Sequence, residues 1–421
     1  MSIIIRQAKV LDSSSPYHGK KVDILVERGV ITEIRASIKT DKNYREIEGD
    51  DLYVSQGWLD LQADFSDPGF EHKEDIQSGL ESAARGGFTG VCVMSGTNPP
   101  LHNKAQIEYV LNRAKDNLVD VYPIGTISHN KEGKDLSEMY DMKLAGAVAF
   151  SDHKKAIKDA GLVMRALQYS QNIGSFIITH ADDKSISHDG QMNEGVTSTR
   201  LGLKGIPALA EELMIQRNIQ ILEHTGGKIH FPTISTRGSV DLIKKAKANG
   251  LQVTAGVAAH NILLDDTALE DFDTNYKVNP PLRSKEDVSA IRRALENGVI
   301  DVVVSDHLPQ DTECKDLEFD LADAGIIGLQ TAYNCLVTAM PKLGAERVAE
   351  CLAEAPRRIL GLEPNSIKEG QKANLTVFSL NDKTTLSQKQ IASKSKNTPF
   401  IGKPMNGRVV GLLNNNKVFI P

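Results

Sequence analysis

No apolar run in this chain approaches the ~20 residues of a membrane span, so the sequence gives no reason to expect one. No Lys/Arg-rich run marks a membrane surface, and a net charge of −6 gives nucleic acid no electrostatic foothold. The opening Met1-Ser2-Ile3-Ile4-Ile5-Arg6 lacks a signal-peptide layout. Cysteine is scarce: Cys92, Cys314, Cys335 and Cys351 include no Cys-x-x-Cys pair and are expected as reduced thiols in a cytoplasmic protein. No internal repeat or low-complexity segment stands out.

What is present is an ordinary globular composition, 40% hydrophobic and 25% charged, over 421 residues, room for one large α/β barrel and a smaller domain. The segments Ile3–Ile5, Val22–Val26 and Val30–Ile34 read as strands, and Ala373–Phe378 and Gly407–Leu413 read similarly near the other end. Between them strands alternate with helices. Thr89–Met94 is a strand, and Lys104–Lys115 has helical spacing through Ile107, Val110, Leu111 and Ala114. Val119–Gly125, Ala145–Phe150, Ser175–Thr179, Gln220–Glu223, Leu251–Ala255 and Val299–Ser305 are further short apolar runs, with a helix over Ala160–Gln171. Repeated βα units imply a parallel sheet; eight of them close into a barrel whose chemistry sits at the C-terminal strand ends.

The stretch from Gly57 to Asp75 organises the rest. Period-two alternation sets Asp60, Gln62 and Asp64 against Leu59, Leu61 and Ala63, and Asp67-Pro68-Gly69 then breaks the strand. A surface strand with one polar face would give the same alternation. The frame of Gly57, Asp60, Asp67, Pro68, Gly69, Lys73 and Glu74 resembles the first strand of the dihydroorotase branch of the amidohydrolase superfamily. That resemblance implies a (β/α)8 TIM-type barrel over residues 56–365 and a small β-sandwich built from both chain ends, 1–55 and 366–421. It also implies two metals held by histidines and carboxylates, because a water between them must ionise near neutral pH.

Against the family pattern, the two His positions of the first strand are Gln62 and Asp64, and the Arg that grips substrate is Ser66. Phe150-Ser151-Asp152-His153 puts His153 where a carboxylate bridges the metals, and an imidazole nitrogen with one lone pair cannot bridge. The residue after it is Lys154, a positive charge where the family has glycine. Thr179-His180-Ala181-Asp182 keeps a ligand at His180; a lone histidine making ordinary hydrogen bonds is the bland alternative. In His230-Phe231-Pro232-Thr233-Ile234-Ser235-Thr236 the ligand position is Thr233, and His230 falls on a non-ligand histidine. Ser305-Asp306-His307 keeps Asp306, the family's metal-binding and proton-shuttling carboxylate, while Gln310 replaces a substrate-contacting His. Gly96 replaces a substrate-contacting Asn, and Asn279-Pro280-Pro281-Leu282-Arg283 matches in full, which makes Asn279 and Arg283 substrate-binding candidates.

Two of six ligand positions therefore survive, His180 and Asp306. The reading this favours is a non-catalytic dihydroorotase homologue of pyrimidine biosynthesis, a structural or regulatory partner of aspartate carbamoyltransferase, with Asp306 a vestigial acid/base. The alternative is an active dihydroorotase or related cyclic amidohydrolase with a rewired single-metal site of Asp64, His153, His180 and Asp306. A third is a binding protein that uses the old pocket for another metabolite. No tightly bound cofactor is expected, one zinc at partial occupancy being the exception those side chains allow. A cytoplasmic homo-oligomer is expected.

Overall fold

The computed structural model describes residues 2–39 and 43–421. Five strands open the chain: β1 (Ser2–Leu11), β2 (Lys21–Glu27), β3 (Val30–Arg35), β4 (Arg45–Ile47) and β5 (Tyr53–Gln56). The parallel strands β6 (Trp58–Ala63), β7 (Phe88–Val93), β8 (Asp120–Gly125), β9 (Ala149–Phe150) and β10 (Ile177–Ile178) follow. A two-stranded pair, β11 (Met192–Asn193) and β12 (Gly205–Ile206), interrupts them before β13 (Ile229–Phe231), β14 (Val253–Ala258) and β15 (Val302–Val304). The chain closes with β16 (Leu375–Thr385), β17 (Pro404–Asn414) and β18 (Lys417–Phe419).

β6 to β10 and β13 to β15 lie side by side in chain order with intervening helices, a TIM-type barrel. The ring closes where Ala63 pairs with His307 in parallel and the Asp64 amide donates to the His307 carbonyl at 2.8 Å. One apolar cluster draws Leu59, Leu61, Cys92, Ile124, Ile178 and Val304 from β6, β7, β8, β10 and β15 and packs them together. The second sheet joins both chain ends in the order β18-β17-β16-β5-β1-β2-β3, with β4 on β1, and forms the flanking β-sandwich. Among the described residues no helix is long and apolar enough to cross a membrane.

One sequence reading is corrected. Gln220–Glu223 is not a strand but part of the helix Ala208–Thr225; the barrel strand is β13, some residues later. Ala210, Met214, Ile215 and Leu222 bury at helical spacing, and local hydrophobicity alone cannot separate a buried helix turn from a short strand. The Ala145–Phe150 run likewise contributes only Ala149–Phe150 to the sheet.

Barrel and sandwich meet at Trp58, fully buried at the start of the strand that carries the polar residues. Its ring contacts Phe88, Tyr333 and Phe378, at centroid distances of 6.1, 4.8 and 5.2 Å. Gly57 before it allows close approach: a Cβ there would lie 2.0 Å from both Asn374 Oδ1 and Thr89 Oγ1. Thr376 Oγ1 completes the seam, accepting from the Trp58 amide at 3.1 Å and donating to the Gly87 carbonyl at 2.9 Å. Thr376→Val should therefore cost about 1–3 kcal/mol in denaturant unfolding by stranding two buried backbone groups. An unchanged midpoint would show that the hydroxyl does not hold the seam.

Candidate functional site

The clusters at Asp64, His153, His180 and Asp306 arrive at the C-terminal ends of the barrel strands, and the charge among them is Lys154. Its ammonium lies 2.6 Å from Asp306 Oδ1 and donates to Asp306 Oδ2 at 2.8 Å and to the Asn279 carbonyl at 2.6 Å. Both partners are nearly buried, with side chains 15% and 5% exposed, so this pair is screened far less than a surface ion pair. Gln62 Nε2 donates to Asp306 Oδ1 at 3.2 Å. The retained carboxylate is thus held by a lysine and an amide.

His153 and Asp64 form a second contact, Nε2 to Oδ2 at 3.3 Å. Burial, with Lys154 and Lys131 nearby, pulls His153 well below its ordinary value, so at neutral pH a neutral ring faces the carboxylate. Asp64 is raised by burial, and its Oδ1 accepts from the Ser66 amide at 2.7 Å. Gly96 makes room for it: a Cβ there would lie 1.5 Å from Asp64 Oδ2. The carboxylate at 64 and the glycine at 96 are therefore one coupled change. Ser66, His153 and Asp306 all hold positive φ, 57°, 55° and 46°, strain of the kind that concentrates at functional sites.

His180 lies buried with neither ring nitrogen bonded among the described residues, and burial followed by repulsion from Lys154 pulls it down to about 4. His260, in the short helix Ala259–Leu263 that directly follows β14, carries no signal in the sequence. Its Nε2 is also unpartnered, and burial pulls it to about 4 against the attraction of Asp306. Gln62 Oε1, His153 Nδ1 and Thr233 Oγ1 are likewise buried without hydrogen-bond partners among the described residues. Such groups each cost free energy unless water or a ligand bonds them, so this mouth is built to be filled by something polar.

The remaining candidates turn toward the protein. Arg283 is buried and donates to Ser235 Oγ at 2.9 Å, Asn193 Oδ1 at 3.2 Å and the Ile206 carbonyl at 2.8 Å, with Glu211 at 3.6 Å. Those bonds tie β11, β12 and the β13 loop together. Asn279 reaches Lys154 through its backbone carbonyl. Gln310 Oε1 accepts from Lys73 Nζ at 2.6 Å, and its Nε2 donates to the Ala324 carbonyl at 3.1 Å. His230 Nδ1 meets Thr254 Oγ1 at 2.9 Å. Among the described residues no three His, Cys, Asp or Glu side chains form a metal-binding group. Lys131, missed in the sequence because a loop lysine carries no signal, donates to the Ser95 carbonyl at 2.8 Å and acts electrostatically on Asp64 and Asp152.

A family model described as Dihydro-orotase-like matches residues 53–239. A dihydroorotase of Acetivibrio thermocellus is 41% identical over 99% of this chain and 99% of that protein. A dihydroorotase of Trichlorobacter lovleyi is 39% identical over 97% of this chain and 96% of that protein. The L-hydantoinase (dihydropyrimidinase) of Arthrobacter aurescens superposes with a TM-score of 0.85 at 25% identity, covering 99% of this chain and 95% of that one. A D-hydantoinase crystal structure, at 22% identity and a TM-score of 0.82, covers 100% of this chain and 95% of its own and shares the fold.

Proposed function

We propose, from the premise that this chain belongs to the dihydroorotase family, that its barrel mouth carries out cyclic-amide chemistry with Lys154 as the resident cation. The homology supports a cyclic-amidohydrolase function in general, and that class of reaction, rather than a purely structural role, is where the relatives' names point. The observation that carries the finer reading is the Lys154 ammonium seated 2.6 Å from the one retained catalytic carboxylate, Asp306.

The two-metal centre that the family implies is a poor match to these residues. No carboxylate occupies the bridging position, and an ammonium already neutralises Asp306. Bound metals would supply Lewis acidity and an ionised water; this chain offers a lysine and neutral imidazoles. In the reading proposed, Asp306 takes a proton from the water that attacks the ring amide carbon. The Lys154 ammonium faces the oxygen that gains charge. Asp306 then returns the proton to the departing nitrogen as the C–N bond breaks. General acid–base help is worth about 10²–10⁴-fold and one oxyanion donor about 10²–10³-fold, so turnover below ~1 s⁻¹ is expected.

A second reading has its own support. The side chains at three substrate positions no longer face a ligand clamp: Ser66 and Gly96 carry no charge, and Gln310 is bonded internally. On that reading the chain is catalytically silent, and serves in the cytoplasm and in pyrimidine biosynthesis as a structural or regulatory partner of aspartate carbamoyltransferase.

The test is purified protein assayed with dihydroorotate and with carbamoyl aspartate, before and after chelation, alongside elemental analysis. Slow turnover that survives chelation and disappears in Asp306→Asn is expected, with less than one zinc per chain. Turnover lost on chelation and restored by zinc overturns the lysine-centred site. No turnover above buffer background overturns catalysis, and co-elution with the transferase in size-exclusion chromatography would then establish the second reading.

A further inference from the structure

Beside the barrel mouth, and sharing Lys154 and Asp152 with it, lies a cleft of about 540 Å³ whose lining holds five lysines and no arginine. Lys154 and Lys184 are spoken for, by Asp306 and Asp182 at 2.6 and 2.5 Å. Lys131, Lys155 and Lys158 have no ion pair among the described residues; Lys131 bonds only the Ser95 carbonyl, with Asp64 and Asp152 acting on it from further away.

The carboxylates that line the cleft are each held by other groups. Asp152 Oδ1 accepts from the Ile127 and Ser128 amides, both at 2.9 Å, and its Oδ2 accepts from Ser128 Oγ at 2.5 Å. Glu132 pairs with Lys134 at 3.3 Å. Asp159 caps the helix Ala160–Asn172 and faces Arg165 at 3.7 Å. Three ammoniums without an ion pair among the described residues thus line one concavity of a chain whose net charge is −6. Like charges gathered this way repel one another unless an anion joins them.

We propose that this cleft binds a small phosphoryl-bearing anion, held by Lys131, Lys155 and Lys158. The chemistry selects phosphoryl over carboxylate. Planar carboxylates are matched by the arginine fork, absent here, whereas lysines act as movable point charges that suit a multiply charged tetrahedral group. Ala156 and Ile157 give the cleft an apolar strip for the rest of such a ligand. The site does not depend on turnover at Asp306, and none of these three lysines takes part in the proposed reaction.

Isothermal titration of the full chain with inorganic pyrophosphate at low salt tests this. One saturable site is expected, weakening as salt rises. Lys155→Glu with Lys158→Glu should weaken it at least about tenfold, while Lys244→Glu with Lys245→Glu, exposed lysines on the helix Arg237–Ala248, should change it less than about twofold. Absence of binding, equal loss in both variants, or undiminished binding in the cleft variant overturns the proposal. Citrate bound as tightly as pyrophosphate would overturn the phosphoryl class. Turnover in the cleft variant should match the parent, which keeps this result separate from the catalytic one.

Discussion

Taken from pH 7.5 to pH 4.5, the protein should lose several kcal/mol of stability, a large fraction of what a domain possesses. Three buried histidines drive the loss. His180 and His260 are pulled down to about 4 and His230 to about 3, each chiefly by burial, from an ordinary 6.5. Above pH 6.5 folded and unfolded chains are alike neutral at these positions. Below it the unfolded chain takes up protons that the folded chain refuses, so stability falls as pH falls. By pH 4.5 each histidine has forfeited about two units at ~1.4 kcal/mol per unit, roughly 8 kcal/mol together. His153 pushes the same way.

Asp60 opposes them. Burial raises it to about 7 from 3.8, so the folded chain holds an extra proton between those values, and acidification over the same range returns about 3 kcal/mol. The check is denaturant unfolding across the pH series. His230→Gln should remove about a third of the histidine loss, because that ring sits apart from the site against Thr254. A stability flat to pH 4.5 would mean these rings protonate in place.

Lys154→Met should cost about 3–5 kcal/mol at pH 7.5, because it leaves the buried Asp306 carboxylate with only the Gln62 amide for company. Asp306→Leu alone should cost a similar amount by leaving the ammonium with the Asn279 carbonyl but no counter-charge. The double variant should return to within about 1 kcal/mol of the parent, since well-packed apolar side chains replace a buried pair at little cost. Such a cycle isolates the pair from the packing of either side chain. Additive losses, or a single-variant cost under ~1 kcal/mol, would show that the pair is not what holds the strand ends.

The barrel was legible because alternation and turn chemistry are local: Gly57 to Asp75 and Asn279 to Arg283 carry their pattern in consecutive residues. The site was legible only residue by residue. Sequence shows that His153 cannot bridge metals, and that Lys154 adds charge. It cannot show that a flexible lysine stem from one strand end reaches the Asp306 carboxylate across the ring. Nor could it couple Asp64 to Gly96, because that dependence is a distance between two strands. Arg283 illustrates the converse: its segment matches a substrate-binding pattern, yet its donors tie loops together. The Gln220–Glu223 reading failed because a buried helix face and a short strand look alike over four residues.

The pairing of β5 with β16 has a consequence for how the protein is made. The two strands are separated by the whole barrel, from Gln56 to Leu375. At about 5–20 residues per second, a translating ribosome leaves the β5 edge without its neighbour for roughly 15–60 s. Throughout that interval the nascent sandwich exposes an apolar half-sheet to the crowded cell, the situation in which strand edges find the wrong partner. The last strands to emerge are therefore the ones that end the chain's period of greatest vulnerability, and premature termination before β16 should yield a product that aggregates rather than a trimmed but folded barrel.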